Sequence, residues 1–497
     1  MTDSAVTTTT TAPVASIGNA PDAAGTKLVI SLLLVSAFVV ILNETIMGVA
    51  LPHLMRDLNI TASAAQWLTT AFMLTMAVVI PITGFLLQRF NTRPVFLAAM
   101  TLFSTGTLIA ALAPGFEVLI VGRVVQAMGT AIMMPLLMTT VMTLVAPAAR
   151  GKTMGNISIV ISVAPAIGPT ISGLILSVLD WRWMFILVLP IAVGSLALGA
   201  ARIKNVTEPV KVPLDVVSVI LSAFGFGGLV YGLSNLGEAA TGNAAAGLVP
   251  LGIGVVAIAL FVWRQLALQR TDRALLDLRT FVSRTFSFAI VMLAVSMMAL
   301  FGTLILLPIY MQTVLGLDAL ATGLLLLPGG LTMGLLAPFV GRFYDRFGPT
   351  VLLVPGSIIV SGAFWFLTML TATTPFWWVL VAHVALSFGL AFLFTPLFTS
   401  ALASLRPQLY SHGSAVVGTA QQLAGAAGTA LFVTVMSSTA ATQLANGAGE
   451  VAATAAGTQS AFLYGAIISL FAIPLAFFIR KPAPSVTDSH DAPMLSH

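Results

Sequence analysis

Fourteen stretches of about 20 mostly apolar residues run through this chain. The first is Leu28–Leu51, the thirteenth Ser414–Met436 and the last Ala461–Ile479. Each is long enough to cross a hydrocarbon layer as a helix. At that depth no water meets the backbone, so every N–H and C=O must be satisfied within the run, which the helix achieves. The runs are continuous and do not alternate over about 10 residues, which argues against a β-barrel. Of 497 residues, 58% are hydrophobic and 7% charged. A soluble domain carries about 25% charged residues. The expected fold class is therefore an all-α integral membrane protein with 14 transmembrane helices.

Basic residues test that count. With both ends placed inside, 18 of the 21 Lys and Arg fall in the inner segments, Arg56 and Arg182 fall outside, and Arg123 lies within a span. This asymmetry is the positive-inside pattern and predicts cytoplasmic termini. The net charge of +5 is thus an orienting device, and no nucleic-acid partner is expected. There is no cysteine, which excludes disulfides and thiolate chemistry.

A segment repeats. Gly84-Phe-Leu-Leu-Gln-Arg-Phe-Asn-Thr-Arg93 follows the second span and Gly341-Arg-Phe-Tyr-Asp-Arg-Phe-Gly348 follows the tenth, at an offset of 257. The same offset carries Leu28 to position 285, where the ninth span begins. The expected organisation is a disordered tail (1–27), a six-helix bundle (28–205), a two-helix insert with a basic cytoplasmic loop (206–284), a second six-helix bundle (285–480) and a disordered tail (481–497). Parallel repeats of this kind place a substrate site between the halves.

Glu44 is the one carboxylate expected deep inside a span, and Arg123 the one cation. An ionisable residue at that depth is a functional-site candidate by default. A carboxylate can change protonation there, with burial and a nearby cation pulling its pKa in opposite directions. A guanidinium stays charged and cannot carry the proton. Two readings stand: Glu44 and Arg123 as a proton-coupling pair, or as a static pair that fixes helix packing. Asp215 reads as an interfacial helix-start residue and His383 as a packing histidine.

Four motifs go further. The loop Gly341, Asp345, Arg346, Gly348 has a first copy in Gly84, Arg89 and Arg93, with Gln88 and Asn91 at the acidic and second glycine positions. Arg123-Val-Val-Gln-Ala-Met-Gly129 lies on the fourth span, Ala164-Pro-Ala-Ile-Gly-Pro-Thr-Ile-Ser-Gly173 on the fifth, and Leu42-Asn-Glu-Thr-Ile-Met-Gly-Val-Ala-Leu-Pro52 on the first. These resemble motifs A, B and C and the first-helix motif of the major facilitator superfamily. Within it, they resemble the 14-span drug:proton antiporters of the EmrB/QacA and lincomycin-resistance type, as do Trp181-Arg-Trp183, His412-Gly-Ser414 and Gln421-Gln422. The resemblance covers about residues 28 to 480. It implies a major facilitator fold: two six-helix bundles plus two extra helices. It implies that the motif A loop latches the outward-facing state. It also places Asn43 where related exporters commonly have aspartate.

Gly168, Pro169 and Gly173 are expected to let helices approach closely and bend the fifth span. Asn43, Gln66, Trp67, Met73, Gln126, Asn156, Phe301, Tyr310, Gln421 and Gln422 are expected to line the cavity. Intramembrane amides must find partners or water. Aromatic and Met side chains suit large apolar cations through adaptable packing and cation–π contact. No phosphate-binding loop or metal-ligand cluster is present in the sequence. The chain is therefore expected to be a secondary active transporter and not an enzyme. It would need no cofactor and run on a proton gradient in a bacterial plasma membrane. Its expected partners are hydrophobic or amphiphilic small molecules, protons and membrane lipids, with the chain acting as a monomer. The leading expectation is export of drugs or antibiotics. Export of a lipid, siderophore or other metabolite is the alternative, and a non-transporting membrane sensor or scaffold a remote one.

Overall fold

The computed structural model describes residues 23–60, 62–205, 209, 213–235 and 244–480. Fourteen of its helices are long and apolar enough to cross a membrane. They are α1 (Ala23–Asp57), α2 (Ala62–Arg89), α3 (Thr92–Ala111), α4 (Phe116–Leu144), α5 (Arg150–Val178), α6 (Trp183–Arg202), α7 (Val216–Ser234), α8 (Ala244–Leu268), α9 (Arg284–Ile309), α10 (Ala319–Phe347), α11 (Thr350–Leu367), α12 (Phe376–Ala403), α13 (Tyr410–Ala445) and α14 (Glu450–Ala476).

Two boundaries correct the sequence reading. Residues 23–27, expected in the disordered tail, form the first turn of α1. The rest of that tail and the whole of 481–497 lie outside the described residues. α14 begins at Glu450 and not at Ala461. Its first turns are rich in Ala, Gly and Thr, so hydropathy alone does not flag them. The small residues are used for packing: a side chain at Gly457 would collide with the Met436 backbone of α13.

Neighbour relations repeat along the chain. α1 packs on α5 and α6, α2 on α4, and α3 on α4 and α6. In the same order, α9 packs on α13 and α14, α10 on α12, and α11 on α12 and α14. The two sets meet through α5 with α10 and through α13 with α2, a crosswise pair.

These seams are held at the end of the bundle that carries the basic loops, called here the basic end. A side chain at Gly341 of α10 would collide with the Gly151 carbonyl of α5, so only glycine permits this approach. Asp345 accepts the N–H groups of Gly151 and Lys152, each at 2.8 Å, at the start of α5. A carboxylate there meets the unsatisfied donors and positive dipole end of the helix. Gly348 ends α10 at φ +81°, whereas Asn91, its counterpart, has φ −64° and needs no glycine. In the other seam Gln88 donates to the Gln408 carbonyl at 3.2 Å. Two hydroxyl pairs add to the closure: Thr395 to Ser158 and Thr139 with Ser414, both at 2.7 Å. Toward the opposite end, Gly173 on α5 and Gly323 on α10 have nothing within 4 Å of their Cβ positions.

The insert is a hairpin of α7 and α8, and α7 packs on both α2 and α13. Asp215 caps α7 through the Ser218 N–H at 3.0 Å. Its carboxylate takes two bonds from Arg264 of α8, at 2.6 and 2.7 Å. Arg264 holds the Asp215 carboxyl well below the usual carboxylate range. A depressed carboxylate contributes stability that is fully present above its unfolded pKa of about 3.9 and is lost as pH falls through the folded value. Thermal stability of the hairpin should therefore be flat from about pH 8 to about pH 5. Asp215→Asn should lower it by about 1–2 kcal/mol over that range. Thermal unfolding in detergent, parent against variant, measures both.

Candidate coupling site and the seam between the repeats

Arg123 on α4 is fully buried and organises the site. Its Nη1 donates to Gln126 Oε1 at 2.7 Å and to Asn43 Oδ1 at 3.3 Å, and its Nε reaches the Leu68 carbonyl of α2 at 3.5 Å. The guanidinium carbon lies 4.0 Å from the centre of the Phe72 ring, a desolvated cation–π contact worth about 2 kcal/mol. Gln126 in turn donates to Thr107 of α3 at 2.8 Å. Four helices thus converge on one cation, and every direct ligand is neutral. Arg123 Nη2 and Asn43 Nδ2 have no partner among the described residues.

Glu44 is not in direct contact with this cation. It is half-buried and forms no ion pair within 4 Å among the described residues. The charge acting on it is nonetheless that of Arg123. The static Glu44–Arg123 bridge is therefore not formed; Asn43 takes the near position. One residue later, Thr45 touches α5 at Gly168, where an added Cβ would collide with the threonine hydroxyl. Successive helix positions turn by about 100°. Asn43 faces α4 and Thr45 faces α5, so Glu44 projects between them. It lies about 25 Å along α1 from Lys27, well away from the basic end.

Motif C makes the α1–α5 seam. Ser172 donates to the Ile46 carbonyl at 2.9 Å, and Thr45 reaches the Ala164 carbonyl at 3.5 Å. Gly168 packs there, whereas Gly173 does not pack and faces open space. The side chains of Pro169 and Gln66 lie outside the described residues.

The expected cavity residues divide. Gln422 Nε2 contacts Met76 Sδ across the α2–α13 seam at 3.8 Å. Phe301 packs on Gly425, and Met73 and Gln421 are half-buried. Five others are placed elsewhere. Asn43 and Gln126 are sealed in the Arg123 cluster. Tyr310 is fully buried in the π-helical turn Tyr310–Val314, and its hydroxyl donates to the Thr371 carbonyl at 2.6 Å. Trp67 is 40% exposed and lies against Tyr231 of the insert, 5.7 Å between ring centres. Asn156 is exposed near the basic end. Of the motif A arginines, Arg93 ties α3 to the Ala200 carbonyl at the end of α6 at 2.7 Å. Arg89 closes α2, and Arg346 lies 5.0 Å from the Phe347 ring. His383 bonds the Leu326 carbonyl at 3.2 Å within the second repeat.

Sequence reasoning missed Leu68, Phe72 and Thr107. An apolar residue, a backbone carbonyl and a span threonine carry no signal until the helix crossing is known.

The family model described as Major Facilitator Superfamily matches residues 33–429. This chain belongs to the major facilitator superfamily. It is 41% identical over 458 residues to the lincomycin resistance protein LmrB of Listeria monocytogenes, covering 91% of this chain and 96% of that one. The LmrB of Bacillus subtilis is 40% identical over 461 residues, covering 91% and 95%. Among solved structures, the human organic anion transporter MFSD10 superposes with a TM-score of 0.66 at 16% identity, covering 91% of this chain and 99% of that one. The last comparison bears on the fold alone. As a member of the superfamily the chain is a multi-pass membrane transporter and not an enzyme.

Asn43→Asp would give Arg123 a charged partner in place of an amide. It should raise the detergent melting temperature, gaining about 1–2 kcal/mol through a charge-assisted bond. Arg123→Gln should lower it. A destabilised Asn43→Asp protein would show that Asn43 is not the residue that faces the guanidinium.

Proposed function

We propose that this transporter is a proton-driven exporter of hydrophobic or amphiphilic drug-like compounds, working by alternating access. The observation that carries the reading is Glu44. It is a half-buried carboxylate at membrane depth, with no ion-pair partner among the described residues, beside a cation already engaged by neutral ligands. A carboxylate held by a salt bridge would resist protonation; this one is free to gain and lose a proton. The lincomycin-resistance relatives favour drugs and antibiotics as cargo.

In this reading the basic end is cytoplasmic, together with both termini, and the protein sits in a bacterial plasma membrane. Closure at Asp345, Gln88, Ser158 and Thr139 then corresponds to an outward-facing state. A proton enters from outside and neutralises Glu44, which weakens its hold on cationic cargo. Residues 28–205 and 285–480 rock as two bundles about the α5–α10 and α2–α13 seams. The acid then releases its proton to the cytoplasm as new cargo arrives from there or from the inner leaflet. Met73, Phe301, Gln421 and Gln422 line the path. The gradient supplies the work, with no cofactor, and one chain suffices.

Two measurements test this. In proteoliposomes with an imposed pH gradient, Glu44→Gln should reduce export to the rate seen without a gradient while substrate–substrate exchange persists. Gradient-driven export at the parent rate would remove Glu44 from the coupling role. In an efflux-deficient host, expression should lower drug accumulation, and a protonophore should restore it. Unchanged accumulation of every drug tried would favour lipid, siderophore or metabolite cargo.

A further inference from the structure

The two seams at the basic end are built on the same frame with different chemistry. α5 and α13 each follow a single short turn, Pro147–Ala149 and Pro407–Leu409. Lys152 is the third residue of α5 and His412 the third of α13. In the α5–α10 seam Lys152 gives its backbone N–H to Asp345 and leaves its side chain exposed. In the α2–α13 seam, where Gln88 replaces the carboxylate, the His412 ring turns inward. It is only 4% exposed. A Cβ at Gly84 of α2 would lie 3.3 Å from His412 Nδ1, so the ring fills the space that Gly84 leaves between the repeats. That Nδ1 has no hydrogen-bond partner among the described residues.

The ring also touches the insert. It hydrogen-bonds the Leu275 backbone, and the charges that act on it are Asp277 and Arg279. All three belong to the loop between α8 and α9. Arg279 bonds Asp277 through Nε at 2.8 Å, so these two charges largely cancel. The loop is held by Gln265 of α8, whose Oε1 accepts from Leu275 N and Leu276 N at 2.8 and 3.2 Å. α2 brings Gly84 to the ring, and Arg89 closes that helix beyond it. α9 brings Phe286 near Gly413. Arg150 of α5 lies over Tyr410, 5.5 Å from its ring centre.

We propose that His412 is a proton-binding site of this transporter, and that its protonation opens the α2–α13 seam at the basic end. The closed seam fits a neutral imidazole. A proton on Nδ1 would place a cation against Gly84 with no acceptor, which is costly in an apolar contact. When the seam parts, water can solvate the ring and the proton binds freely. A ligand that binds one conformer shifts the population toward it. Glu44 lies far from this end, so His412 reads acidity on the basic-loop side alone. The insert gains a role as well: through Leu275 it holds the sensing ring in the seam. This inference does not depend on which compound is exported or on Glu44 being the coupling acid.

The chain has no cysteine, so two introduced cysteines are unique. Phe90→Cys beyond α2 and Arg406→Cys before α13 flank the seam, and both positions are exposed. Spin labels there, in lipid nanodiscs, report the seam distance by pulsed electron resonance. The separated-to-closed ratio should rise by about tenfold per pH unit below about pH 6.5, where a solvated imidazole gains its proton. In the Glu44→Gln background, which removes any response of that acid, His412→Gln should stay closed throughout, and His412→Lys should stay open throughout. The parent response should persist in Glu44→Gln. A parent that ignores pH, a His412→Gln protein in the Glu44→Gln background that still responds, or a response lost in Glu44→Gln alone would each overturn the proposal. So would a folded His412→Lys protein with a closed seam.

Discussion

A guanidinium that cannot give up its proton is sealed among α1, α2, α3 and α4, and the first repeat is arranged around it. Arg123 cannot be buried bare. It draws an amide from α1, an amide from its own helix, a carbonyl and a ring face from α2, and Thr107 of α3 as support for Gln126. None of these neutralises it. The balancing charge is Glu44, one residue past the direct ligand and on the next face of the same helix. In the proposed reading α1 carries two roles at adjacent positions. Asn43 bonds the cation, and Glu44 beside it forms no ion pair among the described residues. Had the acid stood at 43, the bonds that hold the arginine would also have held the acid.

Much of this architecture is legible in the chain because membrane folding obeys a simple rule. Apolar length fixes each helix, and all 14 runs became helices. The second motif A was also readable, since Gly341, Asp345 and Gly348 each answer to a local demand: close approach, a helix start and a positive φ. The polar cavity assignments were harder. Tyr310, Gln126 and Asn43 are polar residues in spans, but such a residue can satisfy itself in a packed cluster or face the cavity. Tyr310 found a carbonyl across a loop and Gln126 found a threonine. Residue type carries no information on which outcome holds. The same limit hid Phe72, whose role exists only because α2 crosses α4 at that ring.

Symmetry explains the frame, and its breaking gives the two seams different chemistry. Neighbour relations in α1–α6 recur in α9–α14, and the crosswise seams form a matched pair. A symmetric pair of seams with equal chemistry would respond equally to any signal and give it no sense. The chemistry differs. Asp345 accepts two backbone donors at a helix start, a strong charged contact, whereas Gln88 donates once to a carbonyl. α9, the counterpart of α1, has no acid at all. The firm seam can act as the hinge and the weaker one as the place where opening starts. The insert packs beside that weaker seam through α7, and its loop reaches into it at His412. In that proposal, the two extra helices beyond the twelve-helix frame are set beside the seam where opening starts.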